Sequence, residues 1–317
     1  MATSVAVIIV TWNSANLIDG VLKCLVSQTL HPARVLLIDN GSEDIDLLSQ
    51  VVSRFQGYEL VKLVNNTGFA KANNIGVSLC QNLDFVALLN PDAFPEPEWL
   101  ERLVSAAMRH DDAAAFGSRL LDYTNPTRLD GAGDFLTIAG RPGRRGHGAN
   151  ANEQFTREEI IFSPCAAAAL YRYSVLISVG GFDENFFCYV EDIDLGFRIL
   201  LAGYSSIYVP DSVVLHIGSA LTGRRSDFSA YFGHRNLSWV FLKNMPGPLL
   251  LALLPLHILL SIFTLGYCLF RRQGLLILRS KLDSIRGIPR VLQQRREIQK
   301  SRVVTIGKVW KALDKRI

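Results

Sequence analysis

A mostly parallel α/β sheet with flanking helices is expected for this chain on three grounds. Short apolar runs rich in β-branched residues alternate with segments of helical periodicity, the runs lack the polar–apolar alternation of half-exposed strands, and polar turns close them. Residues 4–11 (Ser-Val-Ala-Val-Ile-Ile-Val-Thr) form the first such run, the composition of a strand covered on both faces. Leu17, Val21, Leu22, Leu25 and Val26 then recur at helical spacing. Residues 34–42 give a second strand closed by Asp39-Asn40-Gly41-Ser42, and a helix is expected over 47–55. A third strand over 58–64, a helix over 70–83 and a fourth strand over 85–89 continue the pattern. Alternation at this spacing requires right-handed crossovers, which lay the strands parallel and place ligands outside their carboxyl ends. Residues 11–13, 39–40, 66–74 and 90–92 all fall there and should converge. Residues 124–154, rich in Gly and Arg, read as a long mobile loop region that covers a substrate or is a tolerated insertion. Residues 209–215 read as a later strand, with His216 just past its end.

The chain has 317 residues, enough for one large α/β domain with an appendage, and its 49% hydrophobic content excludes extensive disorder. Its formal charge of +4 is unevenly spread. Residues 271–317 hold 14 Lys and Arg against 3 Asp and Glu, a tail of +11 that leaves −7 on residues 1–270. An acidic body argues against nucleic acid as a partner, whereas a basic tail behind an apolar run suits an anionic membrane surface. The five cysteines form no Cys-x-x-Cys pair, so neither zinc nor a disulfide framework is indicated. No basic leader precedes the first strand, so this part is expected to fold in the cytoplasm.

The 23 residues 248–270 contain no Lys, Arg, Asp or Glu. At ~1.5 Å per residue they are long enough for a hydrocarbon core of ~30 Å. Pro255 is expected to interrupt that helix, and a single crossing would put either the acidic body or the basic tail outside, against the positive-inside tendency. Shallow or re-entrant attachment is therefore expected. Residues 275–292 place Leu276, Leu282, Ile285 and Ile288 among Arg279, Lys281, Arg286 and Arg290, an amphipathic stretch suited to lie along headgroups. Its bland alternative is a buried core helix.

The densest chemistry is Glu191-Asp192-Ile193-Asp194, three carboxylates within four positions at the start of a periodic segment. Such a cluster repels itself and persists best where a cation, a proton or a developing positive charge compensates it, the usual setting of a general base. If the ligand is a nucleoside-diphosphate sugar, its diphosphate leaves readily only once a divalent metal neutralises it. Asp92, ending an apolar run in Asn90-Pro91-Asp92, and His216, at a strand end, are the metal-ligand candidates. One carboxylate suffices to take the acceptor hydroxyl's proton, and Asp192 is the choice. Glu191 stands beside it as a catalytic candidate, with pairing to Arg198 or loop support as structural alternatives; helix capping is the alternative for Asp194. No covalent nucleophile is evident, so one base and one metal imply single displacement with inversion. Asp39 is placed to accept the N3–H of uracil or thymine. Thr11, Asn13, Asn66, Gly68, Asn73 and Asn74 are placed to meet the rest of a nucleotide, although strand-end Asp and Asn are most often turn residues. No Gly-x-Gly-x-x-Gly follows the first strand, which disfavours a dinucleotide dehydrogenase.

Together these segments resemble the inverting glycosyltransferases of family 2, which have the nucleotide-sugar transferase type A fold. The likeness covers residues 4–220 and runs through residues 7–13, 37–42, 66–76, 89–93 and 181–198, in the family's order. It is strongest toward the rhamnosyltransferase-like branch that builds bacterial surface polysaccharides, which tends to carry Arg235-Asn236-Leu237 and Lys243-Asn244-Met245-Pro246 ahead of an apolar tail. The resemblance implies a mostly parallel Rossmann-like sheet followed by C-terminal apolar and amphipathic helices. It also implies that Asp39 contacts the base, Asp92 binds Mg²⁺ or Mn²⁺ through the diphosphate, His216 completes the metal site and Asp192 is the general base. Where many relatives have Asp-x-Asp this chain has Asn90-Pro91-Asp92, a form shared by the branch it resembles. The expected organisation is a catalytic domain over 1–245, with a nucleotide-sugar-binding half (1–120) and an acceptor-binding half (121–245), then a membrane-associating region over 246–317. The expected activity moves a sugar, with L-rhamnose favoured, from a dTDP- or UDP-linked donor to a polyprenyl-diphosphate-linked saccharide at the cytoplasmic face of the bacterial inner membrane. Two other classes stand beside it: a membrane scaffold that binds nucleotide sugars without turnover, and a nucleotidyltransferase that releases diphosphate.

Overall fold

A computed structural model describes residues 3–218, 226–269 and 273–316; Phe270, the last residue of the apolar run, and Arg271 and Arg272 of the basic tail lie outside them. The chain opens with β1 (Val5–Thr11), α1 (Ala15–Val26), β2 (Arg34–Asp39), α2 (Ile45–Val52), β3 (Tyr58–Lys62), α3 (Phe69–Ser78) and β4 (Phe85–Leu89). β1 pairs in parallel with both β2 and β4, and β2 with β3. The reason β1 is unbroken in its apolarity is visible in its two faces. Val5, Val7 and Ile9 enter one core with Ile18, Leu22, Leu48 and Trp99, while Ala6, Ile8 and Val10 enter a second with Val77, Leu176, Leu195 and Ile199. Alternate residues point to opposite faces of a strand, so a strand covered on both sides has no position left for a polar residue. α3 lies close enough to β1 that a Cβ on Gly76 would come within 2.7 Å of the Ile8 side chain.

The middle of the chain extends the sheet. It contains β5 (Ala93–Pro95), α4 (Trp99–Arg109), β6 (Ala113–Asp122), β7 (Leu129–Gly131), β8 (Asp134–Leu136), β9 (Pro142–Arg144), β10 (Glu159–Ile161) and β11 (Ala168–Arg172). It continues with α5 (Tyr173–Ser178), a single 3₁₀ turn at Glu184–Phe186, α6 (Glu191–Leu201) and β12 (Ser205–His216). The strand order is β10-β12-β6-β11-β4-β1-β2-β3, with β5 added to β12 and β7 to β6. β11 is antiparallel to both β4 and β6, so β6 and β12 run in the direction of the first four strands. β6 crosses residue 120, and strands from both sides of that position share the one sheet.

The structure departs from the sequence expectation at several points. Residues 124–154 are not a mobile loop: β7 pairs with β6, β8 pairs with β9, and Gly133 at φ +84° makes the bend between the first two. Gly140, Gly146 and Gly148 also take positive φ in turns, whereas Gly131 and Gly143 lie within β7 and β9. The helix over 70–83 stops at Ser78, because the chain turns back through Asn82, at φ +67°, to start β4. Pro255 does not interrupt its helix, which runs unbroken from Gly247 to Leu269. Proline removes one helix hydrogen bond, and the leucine-rich turns on both sides carry the helix through it.

The C-terminal part comprises α7 (Asp227–Asn244), α8 (Gly247–Leu269), α9 (Gly274–Arg286), α10 (Ile288–Ser301) and α11 (Ile306–Ala312). The expected single amphipathic stretch over 275–292 is thus two helices. They part at Gly287, where a Cβ would meet the Trp239 ring at 2.5 Å, and Pro289 lies in the first turn of α10. α8 is a helix long and apolar enough to cross a membrane, and 11% of its most apolar stretch is buried.

α6 is tied to α7 through Asp194, whose side chain is fully buried. It accepts from Arg198 Nε at 2.8 Å, Lys243 Nζ at 2.8 Å and Asn244 Nδ2 at 2.7 Å, and Lys243 also reaches Asp183 at 2.6 Å. Asp194 is therefore the centre of an ion-pair network rather than a helix cap, and Arg198 pairs with it rather than with Glu191. Asp194→Ala leaves two buried cations short of a partner, which costs about 3–5 kcal/mol. A fall of that size in the free energy from a denaturant titration is expected, and an unchanged midpoint would remove the network from the account of stability.

Candidate active site

At the carboxyl ends of β1, β2, β4 and β12 lies a cavity of about 990 Å³, walled by the β8–β9 hairpin and the start of α6. Asp92, His216, Glu191 and Asp192 all line it, together with Asn66, Gly68, Trp12 and Asn40. Sheet topology explains the meeting of Asp92 and His216. β12 pairs antiparallel with β5 so that His216 lies opposite Ala93, and Ile217 N–H donates to the Asp92 carbonyl at 3.1 Å.

His216 is 5% exposed, and its two ring nitrogens face two carboxylates. Nδ1 lies 2.8 Å from Asp130 Oδ2, and Nε2 lies 3.4 Å from Asp92 Oδ1 without an aligned hydrogen bond. Burial disfavours the imidazolium, but the contacts with Asp130 and Asp92 outweigh it and raise the His216 pKa above its ordinary value. Burial alone would raise Asp130 too; the hydrogen bond with His216 and the charge of Arg144 hold it well below the usual carboxylate range. A carboxylate on one ring nitrogen with the other aimed at an acidic cavity wall is the arrangement by which proteins orient an imidazole ligand. Asp92 and His216 thus fit a divalent cation: oxygen and nitrogen donors, buried, facing each other, with room in the cavity for phosphate and water.

Asp192, also in the cavity lining, occupies the first turn of α6. Its Oδ1 accepts from Ile193 N at 2.8 Å and its Oδ2 from Ala166 N at 3.5 Å. Side-chain atoms of Asp134, Cys165 and Asp192 lie within 4.8 Å of one another. Arg144 joins this group to the partner of His216, reaching Asp130 Oδ2 at 2.8 Å, Cys165 Sγ at 2.8 Å and Asp134 Oδ1 at 3.5 Å. Burial raises the pKa of Asp192, with Arg144 opposing it. Burial, aided by the charge of Asp192, pushes Asp134 up to about 7. Glu191 is 6% exposed and its Oε2 has no partner among the described residues. Burial and then the charge of Asp192 lift its pKa well above the ordinary value.

The loop entering α6 is strained. Phe187, Tyr189 and Val190 have φ of 65°, 69° and 70°, a region costly for side chains with a Cβ, and costliest for the branched valine. Asn236 compensates by donating from Nδ2 to the carbonyls of Phe186, Cys188 and Tyr189 at 2.9, 2.9 and 2.8 Å, while Arg235 donates to Asn185 and Phe186. The Arg235-Asn236 pair is thus a clamp on the loop that aims Asp192.

The other nucleotide candidates divide. Asn66 and Gly68 line the cavity, where Asn40 Nδ2 donates to Asn66 Oδ1 at 3.0 Å and Gly68 N donates to the same oxygen at 2.9 Å. Asp39 is buried and does not line the cavity: its Oδ2 accepts from Ser42 N at 3.3 Å, and its Oδ1 has no partner among the described residues. Thr11, Asn13 and Asn73 do not line the cavity. Thr11 Oγ1 is directed at the Ile38 carbonyl, Asn13 Oδ1 accepts from Glu43 N, and Asn73 donates to the Phe69 carbonyl within α3. Asn74 ties α3 to Phe182. Sequence reasoning missed Asp130, Asp134, Arg144 and Cys165. Two aspartates four apart around a Gly-Ala-Gly turn, followed by Arg144, were the available signal.

The α/β sheet thus brings a carboxylate–imidazole pair, buried acids at the start of α6 and a strand-end asparagine cluster to one cavity, the layout of a group-transfer enzyme. Residues 6–180 match the profile of Glycosyl transferase family 2. The chain belongs to that family and is a glycosyltransferase. It is 30% identical over 265 residues to the N-acetylglucosaminyl-diphospho-decaprenol L-rhamnosyltransferase of Mycobacterium tuberculosis, covering 77% of this chain and 85% of the relative. The fold is similar to that of GalNAc-T7 solved with UDP, GalNAc and Mn²⁺ (TM-score 0.62, 16% identity, 76% of this chain and 48% of that one). It is also similar to that of the mannosyltransferase PcManGT from Pyrobaculum calidifontis with GDP-Man and Mn²⁺ (TM-score 0.56, 18% identity, 97% and 86%).

Proposed function

We propose that the chain transfers a sugar, with L-rhamnose favoured, from a dTDP- or UDP-linked donor to a hydroxyl of a polyprenyl-diphosphate-linked saccharide at the cytoplasmic face of a bacterial inner membrane. The observation that carries this reading is the single cavity that Asp92, His216 and Asp192 line together. The mycobacterial relative's decaprenol-linked acceptor and L-rhamnosyl transfer support the choice of substrates. Residues 1–120 hold the donor, 121–245 the acceptor, and 246–317 meet the membrane.

Asp39 Oδ1, buried and unpartnered among the described residues, accepts the N3–H of the pyrimidine, while Asn66 and Gly68 border the ribose and phosphates. Asn13 shapes the turn after β1, Thr11 ends that strand and Asn73 bonds within α3. Asp92 and His216 would hold Mg²⁺ or Mn²⁺, which when bound would neutralise charge on the diphosphate. Asp130 fixes the imidazole so that Nε2 faces the cavity. Asp192 takes the proton from the acceptor hydroxyl as that oxygen attacks the anomeric carbon from the side opposite the diphosphate, inverting the configuration. Glu191, buried behind it, keeps its proton and supports the loop.

The test is incubation of the full chain with dTDP-rhamnose, UDP sugars, Mn²⁺ or Mg²⁺ and a polyprenyl-diphosphate N-acetylglucosamine. A disaccharide lipid and a nucleoside diphosphate are expected. Release of inorganic diphosphate in a parallel incubation with dTTP or UTP and a sugar 1-phosphate would instead indicate a nucleotidyltransferase, and donor binding without product a scaffold.

α8 supplies the membrane contact in this reading. Leu251, Leu259, Ile262 and Phe263 are 75, 62, 62 and 73% exposed, and Arg279 and Arg286 of α9 are exposed beside Asp283. A large apolar side chain entering lipid contributes about 1.5–3 kcal/mol. Ile262→Glu with Phe263→Glu should therefore weaken sedimentation with phosphatidylglycerol vesicles by at least about tenfold. Unchanged sedimentation would move the contact elsewhere.

A further inference from the structure

α8 touches the active site indirectly, through the β8–β9 hairpin. Asp134 and Arg144 face each other at the base of that hairpin, in register, and both line the cavity. The tip of the hairpin, residues 137–141, leaves the cavity and meets the C-terminal region. There the Ala139 carbonyl lies 2.9 Å from His257 Nδ1, which acts as the donor, and the His257 ring stacks on Phe241 of α7 at 4.2 Å and 4°. Gly140, at φ +81°, fits between them: a Cβ would lie 2.7 Å from the Phe241 ring and 2.9 Å from His257 Nδ1. A third hold comes from the last described residues, where Ile138 N donates to the Asp314 carbonyl at 2.8 Å and Asp314 N to the Leu136 carbonyl at 2.9 Å.

His257 sits at the middle of a helix whose other faces are apolar and exposed, yet it is 4% exposed itself. An imidazole in such a helix has no use for lipid; here Nδ1 donates to the Ala139 carbonyl at the tip of a hairpin that carries two cavity residues, while Nε2 lies 3.4 Å from Ser238 Oγ of α7. We propose that His257 is a positioning residue for the active site, and that α8, the helix that meets lipid, holds the Asp134–Arg144 hairpin in register through it. The C-terminal region is then part of the catalytic architecture as well as an anchor. A further consequence is that α8 lies along the body rather than passing freely through a bilayer, because its midpoint is fastened to Ala139. This inference rests on reading the cavity as the transferase centre.

The experiment compares His257→Ala, His257→Asn and Gly140→Ala with the unsubstituted full chain. In His257→Ala, the amides of Thr137, Ile138 and Gly140 should exchange hydrogen at least about tenfold faster. Turnover should fall about 10- to 100-fold, since small misplacements at a reacting centre cost that much, with the donor KM unchanged. Sedimentation with phosphatidylglycerol vesicles should stay the same. His257→Asn presents an amide N–H near the place of Nδ1 and should recover most of the exchange protection and turnover. Gly140→Ala wedges the same junction without touching α8 and should reproduce the turnover loss. Native exchange at the hairpin tip in His257→Ala, or fast exchange with full turnover, overturns the proposal. So does a His257→Asn variant as impaired as His257→Ala. If the unsubstituted chain transfers no sugar, the exchange result still decides the clamp, and the fault lies with the functional reading.

Discussion

Asp192→Asn should lower sugar transfer by about 10²–10⁴-fold while leaving donor binding unchanged, because general-base catalysis contributes that much and binding does not need the charge. The amide keeps an oxygen to accept from Ile193 N or Ala166 N, so the start of α6 has no reason to move. What is lost is the lone pair basic enough to take the acceptor's proton. Measured kcat with saturating donor and lipid-linked acceptor, beside isothermal titration of the donor, separates the two effects; undiminished kcat would remove Asp192 as the base.

The pH behaviour follows from the same burial. Asp192 has its pKa raised, so it is protonated and inactive at pH values where an exposed carboxylate is already ionised. The acid limb of kcat should therefore lie above the ordinary carboxylate range. Asp134, pushed up to about 7, acts on stability. Between the unfolded value and about 7 the folded state holds a proton that the unfolded chain has lost, so stability falls as pH rises through that window. Asp134→Asn should flatten that fall, with melting temperature as the readout. An identical pH slope in the variant would assign it to another group.

How far the sequence could foretell this site depends on what kind of contact each residue makes. Asp92, Asp192 and His216 were legible because strand ends and helix starts are set by local periodicity, and a parallel sheet collects its carboxyl ends at one rim. Asp130 and Arg144 were not. Their place depends on β7 pairing with β6 and on the β8–β9 hairpin, short strands whose Gly-rich composition reads locally as loop. The reversal at β11 was hidden for a related reason: antiparallel and parallel central strands have the same apolar composition, and only the connection decides between them. Asn236 is legible as a motif but not as a clamp, since its three carbonyl partners lie 47 to 50 residues away in sequence.

Asp92→Ala should be the second severe substitution, lowering transfer by about 10²–10³-fold, the scale on which one preorganised electrostatic partner of a developing charge is worth about 2.7–4 kcal/mol. In Asn90-Pro91-Asp92 a single carboxylate stands where a pair is common, so the proposed metal has no second acid at that turn to fall back on. His216→Ala should follow it. Asp130→Asn should be milder, about 10- to 100-fold in metal affinity, because it disturbs only the orientation of the imidazole. The three variants predict a graded series in Mn²⁺ dissociation constants, readable by electron paramagnetic resonance of free Mn²⁺ without any assay of transfer. Chelation by EDTA should abolish turnover of the unsubstituted chain and Mn²⁺ should restore it. If Mn²⁺ binds equally to all four proteins, the cation site lies elsewhere in the cavity, and the Asp92–His216 pair is a structural contact between β5 and β12.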